Sequence, residues 1–407
     1  MNIGKNIKKE GIQDVPIENT AEVEGTPVVS KFNVETPQTN NKKTLVAVGI
    51  GVVGAIAVFL IVWFLILDND FSFVNRKSGN ENKAIMDSGE KVINPITGKE
   101  VSEGEAQEWK DVRPLAVMVN NHLDARPQSG LIYADFVYEV VAEGGITRFI
   151  AFYLNETPEK IGPVRSTREY YLVLVKEMGD AMLMHEGYSP QAQIAIDAWP
   201  VRSLFRGGAS AVANWRDNPD DVAYEHTLYT DAKVLREYAE ETLGWGGKRE
   251  FQLWEFMTDK NIYQDKPDVT DITIDFWYEG DYSAIFEYDA EAGNYKRFMG
   301  YDSEGNPFPH KDRETKEQIV VNNLIVQFVA ETPIYGDDKS RLEYELIGSG
   351  SGLVFVNGKV IEATWIKESR ESRTLFYDTN GDQVKFSPGK FWISIVPDRN
   401  VDQVVYN

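Results

Sequence analysis

Between Thr44 and Leu67 the chain carries no charged residue, and from Leu45 onward almost every position is aliphatic, aromatic or glycine. A helix needs about 20 apolar residues to cross the hydrocarbon layer of a membrane. Lys42 and Lys43 stand before the run, Asp68 and Asp70 after it. Since Lys and Arg concentrate on the cytoplasmic flank, the stretch predicts a single-pass transmembrane anchor at 44–67, with the N-terminus inside and the rest of the chain outside the cell membrane. A cleaved leader has a shorter apolar region near the start of the chain, and no small-residue cleavage pattern follows Leu67. Ala47, Gly51 and Ala55 share one helical face at small-xxx-small spacing, a face on which two anchors can pair into a homodimer.

The anchor orders the remaining sequence. Residues 1–43 are rich in Lys, Glu, Asn, Thr and Pro and read as a disordered cytoplasmic tail. Residues 68–111 are again polar and read as an extracytoplasmic linker. The rest, with its share of a 42% hydrophobic and 12% aromatic composition, has ample material for a folded core. A net charge of −22 argues against a nucleic-acid surface, whose affinity comes from clustered Lys and Arg on phosphates. The absence of cysteine excludes disulfides, thiolate metal sites, a cysteine nucleophile and a lipid-modified cysteine.

In residues 112–260 strands and helices alternate. The run 115–119 reads as a buried strand, 135–141 and 148–154 as a hairpin around Gly144-Gly145, and 181–185 as another strand. Helices are expected over 169–178, from Ser189-Pro190 onward, and over 231–243 behind a capping aspartate. Mixed elements of this kind predict a layered α and β domain. Beyond Thr270 the apolar period falls to two, so 261–407 is expected to be mostly antiparallel β, with Asn357-Gly358 as a tight hairpin turn. Gly348-Ser349-Gly350-Ser351-Gly352 lacks the strand, elbow and helix context of a serine nucleophile and reads as a turn.

Two polar loops at strand ends stand out, because scaffolds carry function there. One is Asn120-Asn121-His122-Leu123-Asp124-Ala125-Arg126-Pro127-Gln128-Ser129-Gly130, the other Ile161-Gly162-Pro163-Val164-Arg165-Ser166-Thr167-Arg168. With Arg113-Pro114, Val137-Tyr138-Glu139, Glu143-Gly144-Gly145-Ile146-Thr147-Arg148, Pro309-His310-Lys311-Asp312 and Gly389-Lys390-Phe391-Trp392-Ile393, the chain resembles the YerB-like family over roughly 112–400. These are bacterial envelope proteins whose domain has no assigned biochemical function. The resemblance implies a layered β/β/α architecture in the N-terminal part of an α+β protein, and an envelope location. Relatives are often lipoproteins held by an N-terminal cysteine, which this chain does not have.

The chemistry-bearing candidates are Asn120, Asn121, His122, Arg126, Gln128, Arg148, Arg165, Ser166, Arg168, His185, His226 and His310. Arginine offers a planar fork of donors suited to phosphate or carboxylate, so convergence of several would make an anion pocket. The opposing expectation pairs them with Asp124, Asp135, Glu139 and Glu143 as loop fasteners. No local spacing such as His-Glu-x-x-His is present, and no metal or cofactor is expected. Function then divides into two classes. One is a non-catalytic binding or regulatory module that recognises a cell-wall component or a wall-synthesis protein through an Arg/His-lined cleft. The alternative is a transferase or hydrolase for phosphate-linked glycan or lipid, whose layout would be similar to that of LytR-CpsA-Psr phosphotransferases; no acidic pair bearing a divalent ion is identifiable for it.

Overall fold

The apolar runs of the first stretch become the strands Leu115–Asn120, Phe136–Glu143, Ile146–Tyr153 and Met182–Met184, and those of the second become Asn323–Val329, Gly348–Val356, Lys359–Lys367 and Phe391–Pro397. The computed structural model describes residues 91–407, apart from Glu108, Arg249 and Phe251. The expected tail and the apolar stretch 44–67 lie outside the described residues. Among the described residues no helix is long and apolar enough to cross a membrane. The fold is sheet-rich α+β, with few helices.

One ten-stranded sheet unites both stretches. From edge to edge it runs Leu375–Asp378, Lys359–Lys367, Gly348–Val356, Asn323–Val329, Phe391–Pro397, Phe136–Glu143, Ile146–Tyr153, Leu115–Asn120, Met182–Met184 and Arg202–Ser203. The boundary expected near residue 260 therefore separates two pieces of sequence but not two sheets. Phe391–Pro397 is the joint, parallel to Asn323–Val329 on one side and to Phe136–Glu143 on the other. Pairing among the remaining strands of 261–407 is otherwise mainly antiparallel. A second sheet is built from Asp271–Ile274, Ala284–Asp289, Asn294–Tyr301, Pro307–Pro309 and Val404–Tyr406, with Val320–Val321 paired to its third strand.

Successive side chains of a strand face opposite ways, and on Phe136–Glu143 this alternation defines the layers. Tyr138 points to the helix Glu169–Glu177, where its hydroxyl meets Glu177. Glu139 points to the second sheet, where it meets Arg297. Helix, large sheet and small sheet thus stack in that order. The helix is buried along nearly its whole length, from Tyr170 to Glu177.

Two expectations need correction. Residues 91–111 are not a spacer: Lys91–Ile93 pairs with Glu100–Ser102, a capping box starts the helix Glu103–Ala106, and Ile96, Ala106 and Trp109 enter the main core. The physical reason is local, since the Asn94 carboxamide oxygen accepts from the amides of Ile96 and Thr97 and folds the Asn-Pro turn inward. Nor is Gly348–Gly352 a turn; it is the first half of a strand paired with Ala363–Lys367. The glycines allow close backbone approach. A β-carbon at Gly350 would lie 2.7 Å from Trp365 Nε1 and 2.9 Å from the Phe328 carbonyl oxygen, two atoms that are hydrogen-bonded to each other. Gly350→Ala is expected to lower stability by about 1–3 kcal/mol, as overpacking does, seen as a lower urea midpoint at unchanged m-value.

Candidate functional site

The loop 161–168 lies across the ends of the large sheet through single bridges, with Gly162 facing Ser129, Val164 facing Val119 and Thr167 facing Tyr188. Gly162 has φ +151, and a β-carbon there would come within 2.7 Å of the Leu228 carbonyl oxygen, so this crossing needs glycine. The loop is thereby pinned against residues 120–130.

The twelve candidate residues do not share one cleft. Arg148 and Arg168 converge on Glu143, Arg148 through Nη2 at 3.0 Å and Arg168 through Nε at 2.5 Å. Burial acts to raise the Glu143 pKa, but the two cations prevail and hold it below the usual carboxylate range. Nη1 of Arg148 donates to the Ser166 carbonyl and Nη1 of Arg168 to the Thr167 carbonyl. Ser166 donates to the Glu186 carbonyl. These three side chains fasten the loop.

Arg126 turns away from the others. Its Nε donates to the Asn121 carboxamide, Nη1 to the Asp281 carbonyl at 2.7 Å, and its guanidinium lies over the Tyr282 ring. Burial lowers its pKa to about 10.

Asn121, Gln128 and His310 belong to a closed hydrogen-bond circuit in the core. Arg297 Nη1 donates to His310 Nδ1, so the proton of the neutral ring is on Nε2, which donates to Gln128 Oε1 at 2.9 Å. Gln128 Nε2 donates to Asn121 Oδ1, Asn121 Nδ2 to Thr147 Oγ1, and Thr147 Oγ1 to Glu139 Oε1. Glu139 Oε2 then accepts from Arg297 Nη2 at 2.8 Å and from Trp392 Nε1 at 3.0 Å. Every bond in the ring runs from Arg297 toward Glu139. Both charges are fully buried, and burial together with the Arg297 cation keeps His310 well below its usual range, hence neutral. Arg297 was not among the sequence candidates, although a signal existed: it shares the inward register of Tyr295 and Met299 on its strand.

His185 is likewise internal. Its Nδ1 donates to the Gly187 carbonyl and its Nε2 accepts from Ser203 Oγ, both at 2.8 Å. The dyad resembles a nucleophile with its base, yet His185 is 0% and Ser203 2% exposed, so no substrate reaches the hydroxyl in this conformation. Burial lowers the His185 pKa to about 4.

Asn120, His122, Arg165 and His226 come together beside the loop; Asn120 and His226 are 3% and 6% exposed, His122 and Arg165 half-buried, and the two imidazoles and Arg165 keep polar atoms uncommitted. The rings of His122 and His226 stack at 4.5 Å between centroids and 14° between planes. Asn120 Oδ1 accepts from the His122 amide, which fixes its carboxamide so that Nδ2 donates to His226 Nδ1 at 2.8 Å. The amide of Asp124 donates to His122 Nδ1 at 3.2 Å. In both neutral rings Nδ1 is therefore the acceptor and Nε2 carries the hydrogen. Neither Nε2 is sealed from solvent without a partner. Arg165 donates from Nη1 to the Glu225 carbonyl at 3.3 Å, and burial first, then His122 and Arg165, lower the His226 pKa. His122, Asp124 and His226 also form a group of potential metal donors within 4.8 Å of one another. A metal needs a lone pair, though, and in this bonding pattern each outward Nε2 presents N–H instead.

Comparison with known proteins agrees with the sequence resemblance. Residues 96–246 match the N-terminal domain, and residues 272–393 the C-terminal domain, of a family described as protein of unknown function (DUF3048). The chain is 32% identical to the Bacillus subtilis (strain 168) protein named "Putative lipoprotein YerB" over 339 residues, which are 83% of this chain and 96% of that one. The crystal structure of YerB from Bacillus subtilis superposes with a TM-score of 0.65 at 31% identity, covering 78% of this chain and all of the other. The chain thus belongs to the DUF3048 family and is similar to YerB over most of its length.

Proposed function

We propose that this protein is a membrane-held, extracytoplasmic binding module that recognises an anionic group of a cell-wall component at the patch formed by His122, Arg165 and His226. The observation that carries the reading is the set of N–H groups left open there: two imidazole Nε2–H donors and the remaining guanidinium donors of Arg165. Most of the other candidates are committed to internal bonds. Oxyanions are ligands for such donors, and charge-assisted hydrogen bonds to them contribute about 1.5–3 kcal/mol each. The anchor at 44–67 would hold the patch outside the membrane, and the description of the Bacillus subtilis relative as a lipoprotein agrees with attachment at a membrane surface.

The test uses the full-length protein and a phosphate-bearing wall polymer, compared with the same polymer stripped of phosphate. Binding is expected to require the phosphate and to weaken about tenfold or more in Arg165→Ala, a loss of about 1.4 kcal/mol or more. Equal binding of both polymers would exclude phosphate as the group recognised, and an Arg165→Ala protein that binds as well as the parent would sink the proposal. Chemical turnover of the polymer would favour the transferase or hydrolase reading instead.

A further inference from the structure

We infer that the stacked histidines act as a pair of neutral N–H donors, and that the patch consequently selects a singly charged oxyanion with two equivalent oxygens over a doubly charged phosphate monoester. The inference rests on reading this patch as the binding surface and adds the charge class of the ligand.

Geometry fixes the protonation. Protonating His226 at Nδ1 would set its new N–H against the Asn120 Nδ2–H that now donates to it. Rotating the Asn120 carboxamide to relieve this would remove the acceptor of the His122 amide. The amide of Asp124 likewise donates to His122 Nδ1 at 3.2 Å, and the Asp124 carboxylate lies 3.6 Å from the same nitrogen. With two parallel rings in contact, a second imidazolium would also face the first. Both rings are thus held as acceptors on the inside and donors on the outside.

The charges around them are few. Arg165 supplies one positive charge, and the carboxylates of Asp124 and Glu225 interact with the same histidines and oppose any excess of negative charge. One cation and two neutral donors match one negative charge spread over two oxygens, as in a phosphodiester or a carboxylate. Arg148 and Arg168, the cations behind Arg165, are turned to Glu143, so a second negative charge would gain no further direct cation contact and would meet both carboxylates.

Titration of the full-length protein, followed by nuclear magnetic resonance of the imidazole nitrogens, separates the outcomes. The probes are diethyl phosphate, acetate and, at pH 8, the methyl phosphate dianion. Diethyl phosphate is expected to move the His122 and His226 signals and to saturate them at a concentration at least about fivefold lower than methyl phosphate, the size of one exposed charge contact. The Nε2-protonated pattern should persist through saturation. Acetate binding as well as diethyl phosphate would support a carboxylate ligand, and weaker acetate binding a phosphodiester; both fit a single charge. Tighter or equal binding of methyl phosphate, or a doubly protonated His226 in the complex, would overturn the selection while leaving the binding surface standing. If none of the probes moves either histidine, the binding reading itself fails.

Discussion

Arg297→Met is expected to destabilise the protein by about 3–5 kcal/mol, the cost of leaving a buried charge without its partner. The substitution removes the Nη2 bond to Glu139 and the Nη1 bond to His310 together. Glu139 would keep the Thr147 hydroxyl and the Trp392 indole N–H, but neither carries charge. The guanidinium also sits 4.2 Å from the Trp392 ring centroid, so packing is lost with the charge. Equilibrium urea unfolding of the single variant and of Arg297→Met with Glu139→Leu gives the check. Because paired buried ions can be exchanged for apolar groups at little cost, the double variant should recover part of the loss. A double variant no better than the single would mean that the ion pair is not what the circuit depends on.

Lys367→Met should cost less, about 2–3 kcal/mol, although Lys367 is as deeply buried and its Nζ lies 2.9 Å from Glu177. The difference lies in what surrounds the abandoned carboxylate. Glu177 would retain the hydroxyls of Tyr138 and Thr374 and the nearby Arg373 cation, which together with Lys367 overcome the desolvation that would otherwise raise its pKa. A measured order with Lys367→Met worse than Arg297→Met would contradict this account. Both pairs tie the first stretch of sequence to the second, Glu139 to Arg297 and Glu177 to Lys367, one on each face of the strand Phe136–Glu143 or its covering helix.

The local elements were legible because their causes are local. Apolar runs marked Leu115–Asn120 and Met182–Met184, Gly144-Gly145 marked the hairpin, and the Ser189 and Asp231 caps marked helix starts, with the hydroxyl and carboxylate accepting from the first-turn amides. What was not legible arises from distant pairing. In residues 91–111 the Asn94 turn has a local cause, but the burial of the segment was not legible, because Trp109 finds its neighbours only in the assembled core. The site behaved in the same way. The residue types in the two loops were readable, but which arginine meets Glu143, and that His226 comes to lie on His122, depends on how Tyr224–His226 is brought back to the end of the sheet. The glycine-serine strand misled for a related reason: its lack of side chains reflects the nearness of Trp365 and Phe328, not looseness of its own backbone.

The position of Phe391–Pro397 has a consequence for the order of events in synthesis. Its two neighbours, Phe136–Glu143 and Asn323–Val329, are made long before it, and each has an unfilled backbone edge until it arrives. Unpaired sheet edges invite pairing with other chains, and contacts this distant in sequence close slowly. A chain interrupted between residues 329 and 391 would therefore expose two sticky edges that the finished protein covers, so the late strand makes its own synthesis a condition for escaping aggregation and proteolysis.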